Sequence, residues 1–238
     1  GTNWVVDTFA ELSLAVPATT NTMYDVLVDY TAGVPPLEAV AWTNDTTRAT
    51  ALALQNGVYV QTSDADSRYV CSFRTTGVSG QTEDSFAKRY VWNLYHPEPR
   101  PMRNATEMTD NWTYTLTTVR QANANTANQL DVVIGLDLRP VEATVFGLAS
   151  NSTASVIVAV GIGLDTTSGF TAGGVSGRST AVAGDRVQHT ASIRIFPGIG
   201  RHYVSWNEWS TATGTTTWFG DAGFPTTDQS GIEGMTWQ

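Results

Sequence analysis

The sequence predicts an all-β protein, a jelly-roll-like antiparallel β-sandwich with at most one short helix. Short segments of alternating apolar and polar residues, separated by Gly, Asn and Pro turns, recur along the whole chain. Threonine makes up about 15% of the residues, as half-buried strands favour. The chain lacks the strand–helix alternation of parallel sheets and any repeat of roughly 20–50 residues, so α/β folds and propellers are disfavoured.

The first half of the chain contains the clearest hairpin. Asn56 and Gly57 separate two apolar segments, residues 49–54 and 58–61, and both central residues of such a turn must accept positive φ. Residues 23–30 alternate in polarity and form another strand. We predict further strands in this half at residues 4–9, 11–16, 37–43, 68–75 and 89–95.

Three segments depart from this strand pattern. Residues 83–90 begin with acids and end with Lys88 and Arg89, as the helix dipole favours, so the one short helix is expected there. Residues 96–103 contain three prolines, which remove backbone donors and predict an extended surface connector. Residues 166–184 are rich in Gly, Ser and Thr and predict a long loop, mobile or ordered by a partner.

The remaining strands are predicted in the second half of the chain, at residues 111–120, 129–138, 141–149, 154–162, 187–196, 201–210 and 215–219.

The length of 238 residues permits one large β-domain or two smaller ones. We expect a β-sandwich domain over residues 37–238. Residues 1–36 are expected to add N-terminal strands that serve as an attachment or an exchanged segment; the alternative is a single domain over residues 1–238.

The charge of the chain argues against two classes of partner. The net charge is -9, Lys88 is the only lysine and the arginines are scattered, whereas binding to nucleic acid needs clustered cations. An acidic protein is also repelled by an anionic membrane surface. The longest apolar run, residues 154–162, is far shorter than the ~20 residues that span a bilayer. We therefore expect neither nucleic-acid binding nor membrane insertion.

No motif in the sequence indicates a catalytic or metal-binding function. Cys71 is the only cysteine, the three histidines lack metal-ligand spacing, and no G-x-S-x-G sequence is present. We expect no catalytic residues, no metal and no cofactor. The one enzyme class worth testing is a glycosidase that uses Glu208 together with Asp221. The competing interpretation is that Glu208 lies in a strand packed on both faces, because both of its alternating sets of residues are partly apolar.

Several blocks of the sequence resemble a known group of proteins. The blocks comprise residues 41–50 with 55–58, residues 77–93, residues 112–120 with 127–133, residues 160–165 and the tail from residue 196 to 237, which contains G-R-H-Y, W-N-E-W-S and G-T-T-T-W-F-G-D. In this order they resemble the β-rich, fibre-like C-terminal domains of virion structural proteins from tailed bacteriophages. The resemblance implies a location on the phage particle, contacts with other virion proteins and a homotrimer.

The resemblance also implies a function. The expected role is that of a tail-fibre or receptor-binding domain that recognises a molecule of the bacterial surface, chiefly a glycan but alternatively a protein, without catalysis. The first alternative is a structural capsid decoration or connector protein, and the second is a glycan-cleaving enzyme. These alternatives stay open at the level of the sequence.

The candidate ligand-binding residues lie in the tail, at Trp218, Phe219 and Asp221. Both aromatic residues adjoin turns, and exposed aromatic rings stack on the apolar faces of sugars. The carboxylate of Asp221 is suited to accept hydrogen bonds from sugar hydroxyls. The competing interpretation assigns Trp218 to the hydrophobic core.

Overall fold

The computed structural model describes residues 8, 10–30, 36–104, 107–223 and 228–238, and this part of the chain is nearly all β. The strands in chain order are β1 (Met23–Asp29), β2 (Leu37–Ala41), β3 (Leu52–Gln55), β4 (Val58–Gln61), β5 (Asp64–Arg74), β6 (Lys88–Arg89), β7 (Val91–Asn93), β8 (Pro99–Asn104), β9 (Asn111–Thr113), β10 (Arg120–Gln121), β11 (Gln129–Ile134), β12 (Val141–Asn151), β13 (Ile157–Leu164), β14 (Val175–Ser179), β15 (Val187–Ile195), β16 (Gly200–Ser210), β17 (Thr216–Phe219) and β18 (Gly231–Trp237). In these ranges the only helical element is a 3-10 turn at Ala122–Ala124, and no helix has the length and apolar character needed to cross a membrane.

The strands form three sheets. The first has the order β2-β1-β5-β4-β3, with β7 also pairing with β5. The second has the order β14-β13-β16-β11-β6, with β10 pairing with β16, and the third has the order β8-β18-β12-β17-β9, with β15 pairing with β12. The named strand pairs are antiparallel except that of β6 with β11. The predicted all-β sandwich is therefore confirmed.

Two hydrophobic cores hold the sheets together. The main core lies between the second and third sheets and includes Trp206 and Trp218. A second core joins the first sheet to β11 and includes Tyr69 and Trp92. Strand β11 contributes to both, because Leu130, Val132 and Ile134 belong to the main core and Val133 belongs to the second. Successive side chains of a strand point to opposite faces, so β11 is covered on both sides.

The predicted hairpin is confirmed. Asn56 has a φ of 51° and Gly57 a φ of 85°, and the turn joins β3 to β4 in register. Most of the other predicted strands are present with shifted ends, and residues 111–120 hold strand only at their two ends, in β9 and at the start of β10. Residues 11–16 form no strand; Leu14 and Val16 pack instead against the far face of the first sheet. The strand predicted at residues 4–9 lies outside the described residues apart from residue 8.

The predicted helix at residues 83–90 is wrong. The segment makes a tight turn in which the Ser85 amide donates to the Lys88 carbonyl at 2.8 Å. The Tyr90 amide then donates to the Glu83 carbonyl at 3.1 Å. Arg89 is buried and pairs with Asp84 at 2.9 Å. The acidic and basic ends that favoured a helix are thus used in cross-turn ion pairs.

Two predicted loops contain strands. The second half of the proline-rich connector is β8, which lies at the edge of the third sheet beside β18. Proline is tolerated in an edge strand because its missing amide faces away from the neighbour. Within residues 166–184, β14 pairs with β13 and extends the second sheet. Strand β18 itself was not predicted.

Within the expected N-terminal segment of residues 1–36, β1 lies between β2 and β5, so residues 23–29 are part of the first sheet.

Candidate functional site

The structure separates the three residues that the sequence proposed as a ligand site. Trp218 lies opposite Ala149 on the inner face of the third sheet, has no exposed surface, and donates from Nε1 to the Tyr114 carbonyl at 3.2 Å. Phe219 is the next residue along the strand and therefore points to the outer face. The indole of Trp218 is thus part of the main core, the alternative that the sequence left open.

The outward-facing Phe219 is covered by other side chains. The Arg186 guanidinium lies over its ring, 4.0 Å from the centroid, and also pairs with Asp228 at 3.0 Å. Asp221 is buried in the following turn and accepts a hydrogen bond from the Gly223 amide at 3.1 Å. Phe219 and Asp221 are therefore both already in contact with other groups of the protein.

Glu208, the candidate glycosidase carboxylate, is fully buried in β16. Its Oε2 accepts from Trp112 Nε1 at 2.8 Å, and its Oε1 accepts from Arg120 Nε at 2.7 Å and from the Asn123 amide at 3.3 Å. Burial raises the pKa of Glu208 to about 7, against the lowering effect of Arg120. Both carboxyl oxygens are bound by protein donors inside the sandwich, as expected of a structural carboxylate.

Strand β16 is packed on both faces, as the sequence suggested. Val204 and Trp206 belong to the main core. On the opposite face, Ser205 and Asn207 are fully buried and donate to the Thr166 carbonyl at 2.7 and 3.2 Å. This face is covered by the segment that follows β13, which the sequence had predicted to be a loop.

An open groove of about 950 Å³ lies on the outer face of the third sheet, away from the loop after β17. Its floor crosses β8, β18 and β12, where Pro101, Met235 and Glu142 occupy one row. Arg103, Glu233 and Thr144 form the adjacent row on the same three strands. The exposed ring of Phe86 forms part of the lining. Strand pairing thus combines apolar and polar side chains on one surface.

The groove is lined by positively and negatively charged side chains, and its two carboxylates differ in their surroundings. Glu142 is half-buried and pairs with Arg194 of β15 at 3.3 Å. Glu233 is exposed and lies opposite Arg103, but among the described residues no ion pair to its carboxylate is formed. Thr144 is hydrogen-bonded to Ser192 at 2.9 Å. The groove therefore offers acceptors beside an apolar surface.

A glycine in β18 shapes this part of the sheet. A Cβ at Gly234 would overlap the backbone carbonyl oxygen of Glu142. The two strands therefore approach more closely than a side chain would allow. Close approach at Gly234 brings Glu233 and Met235 beside β12.

Sequence reasoning missed this groove because its parts lie in four separate segments. The alternation of Ile232, Glu233, Gly234, Met235, Thr236 and Trp237 was a usable strand signal, but Gly234 interrupts it. In the described ranges no group of three or more His, Cys, Asp or Glu side chains is arranged to hold a metal ion.

Comparison with known proteins gives neither a matching family model nor a matching curated protein. Among solved structures, the chain is similar to dimeric latent PorU from Porphyromonas gingivalis, with 10% identity and a TM-score of 0.37, over 92% of this chain and 20% of that one. It is also similar to the infectious bursal disease virus Gx strain, with 12% identity and a TM-score of 0.29, over 94% of this chain and 58% of that one. For the Gt strain of that virus the values are 10%, 0.24, 96% and 52%. The chain thus spans a minor part of PorU and just over half of the viral chains. TM-scores this low do not establish a common fold, and the function of this chain therefore rests on its own residues.

Proposed function

We propose that this chain is a surface protein of a bacteriophage particle, a tail-fibre or receptor-binding domain that recognises a bacterial surface glycan without catalysis. The observation that carries the proposal is the groove of about 950 Å³ on the outer face of the third sheet. Its volume lies within the range of roughly 300–1,000 Å³ of ligand pockets.

The lining of the groove matches the chemistry of a sugar. A pyranose has hydroxyls around its rim and C–H groups on its faces, so it needs acceptors beside an apolar surface. Glu142 and Glu233 supply acceptors, and Phe86, Pro101 and Met235 supply the apolar surface. The sequence blocks that resemble phage fibre domains support the same class of ligand.

The environment of the titratable groups supports recognition without chemistry. Glu208 has a strongly raised pKa, but its carboxyl oxygens are bound by core donors. His189, whose pKa is strongly lowered, is also fully buried. A binding role therefore suits the described residues best.

The test is binding to an array of bacterial surface polysaccharides, followed by variants of the groove. We expect Phe86→Ala and Glu233→Gln each to weaken binding by about tenfold or more, because they remove a stacking surface and an acceptor. Both side chains are exposed, so neither change disturbs the core.

Two matched variants serve as controls. Phe196 is 59% exposed, close to the 62% of Phe86, and does not line the groove, so Phe196→Ala should leave binding unchanged. Glu38 is an exposed glutamate in β2 of the first sheet, and Glu38→Gln should also leave polysaccharide binding unchanged. Equal effects of the groove and control variants would contradict the proposal. Absence of polysaccharide binding, with ordered binding to capsids, would favour the decoration protein instead.

The proposal includes a homotrimer, which the sequence resemblance supports. Among the described strands, β3 and β14 lie at sheet edges and offer backbone groups that a neighbouring copy can pair with. Closed symmetry would satisfy such edges without open-ended assembly.

A further inference from the structure

His189 of β15 is a buried histidine whose ring has no hydrogen-bonding or charged partner in the described part of the chain. It has no exposed surface, and neither ring nitrogen has a hydrogen-bond partner among the residues that the structure describes. Its ring lies 6.4 Å from that of Trp218, at the inner face of the third sheet. A buried polar group is normally hydrogen-bonded, so this exception calls for a functional explanation.

Among the described residues, the strands around His189 provide no negative charge. On β12 its cross-strand neighbour is Gly147, and β17 contributes Trp218. Strand β13 presents the apolar Val160 to the same core. On β14, the Ser176 backbone approaches the ring without forming a geometrically acceptable hydrogen bond, and the guanidinium of Arg178 is the charged group that acts on the ring. A proton on His189 would therefore meet repulsion and no counter-charge.

We propose that His189 is an acid-sensitive switch: its protonation loosens the packing between β14 and β15 and opens this edge of the sandwich. Strand β14 pairs only with β13 among the described strands, and β15 pairs only with β12. Both are edge strands, so separating them opens a route by which a charged imidazole reaches water. The residues of β14 are already largely exposed.

The direction of the pH effect follows from the burial of the ring. Burial, with a smaller effect of Arg178, lowers the pKa of His189 from 6.5 to about 4. The unfolded or opened chain therefore binds a proton at a higher pH than the closed form does. The contribution of His189 to stability is complete above about pH 6.5 and is lost as the pH falls from there towards 4.

The first measurement is an NMR titration of the histidine rings in the whole chain. We expect the His189 ring to titrate near pH 4 or to broaden as the edge opens, with hydrogen exchange accelerating first in β14 and β15. A His189 ring that titrates near pH 6.5 with no change in exchange would overturn the proposal.

The second measurement is the melting temperature (Tm) at pH 7.5 and pH 5. His189→Phe should reduce the acid-induced fall in Tm by roughly 4–8 °C, because it removes the titrating group. Arg178 is exposed, so Arg178→Gln keeps the fold and should reduce the fall in part by removing the repulsion. His96 is exposed, and His96→Gln should leave the pH dependence unchanged. Equal pH dependence in wild type, His189→Phe and Arg178→Gln would refute the switch.

Discussion

At the scale of single residues, the structure assigns the most distinctive side chains of the tail to the interior. Trp218 and Glu208 attract attention in the sequence because they are an aromatic ring and a carboxylate in a Gly- and Thr-rich setting. Each is fully buried, and each has its polar atoms bound, Trp218 to Tyr114 and Glu208 to Arg120, Trp112 and Asn123. Their environment is that of structural groups in a tightly packed core.

Replacing Trp218 should therefore destabilise the fold. We expect Trp218→Ala to lower the free energy of unfolding by about 3–5 kcal/mol, because it leaves a large cavity in the main core. Chemical denaturation followed by circular dichroism measures the change. Trp209 is only half-buried, so Trp209→Ala should cost less. Unchanged stability together with loss of glycan binding would instead support a ligand role for Trp218.

At the scale of elements, the third sheet shows how local signals mislead. Three prolines suggested a connector, yet β8 forms an edge strand whose neighbour is β18. Two glycines kept β18 from being recognised as a strand in the sequence. Gly234 occupies its position because the backbone of Glu142 comes too close for a side chain. Proline and glycine normally weaken a strand. Here proline is tolerated because β8 lies at the sheet edge, and glycine is required in β18 because the neighbouring backbone is close.

Two strand glycines allow this explanation to be tested. Gly234→Ala should lower the free energy of unfolding by about 1–3 kcal/mol, since its Cβ would overlap backbone atoms that have little room to move. At Gly177 in β14 the nearest atom to an added Cβ is Ile157 Cγ2 at 3.6 Å, an ordinary contact. Gly177→Ala should therefore be neutral or slightly stabilising. Thermal unfolding of both variants measures the two changes, and equal effects at the two positions would show that crowding against Glu142 is not what requires glycine at position 234.

At the scale of the whole molecule, the described residues bury three hydrophobic clusters but leave several sheet edges and large apolar side chains exposed. Leu116, Ile157 and Val175 are each about half exposed on or beside the second sheet. A glycan-binding virion protein that trimerises would cover part of this surface with identical neighbours.

The proposed homotrimer has a direct test in the absolute mass in solution, measured by light scattering on a sizing column. We expect a stable species near three times 25.6 kDa. Dilution should not dissociate it readily if apolar surface is buried between the copies. A clean monomer would contradict the trimer, while leaving the glycan groove to be judged by its own binding test.

The all-β class, the Asn56–Gly57 hairpin and most of the long strands could be predicted from the sequence, because turn chemistry and alternation act within a few residues. The sequence did not determine which face of each strand is covered. A shift of one residue moves every side chain to the opposite face, and the pairing that prevents the shift links segments far apart in the chain. Only the tertiary structure therefore decided that Trp218 faces inward and Phe219 outward, that Glu208 is buried, and that Phe86, Glu142 and Glu233 line one groove.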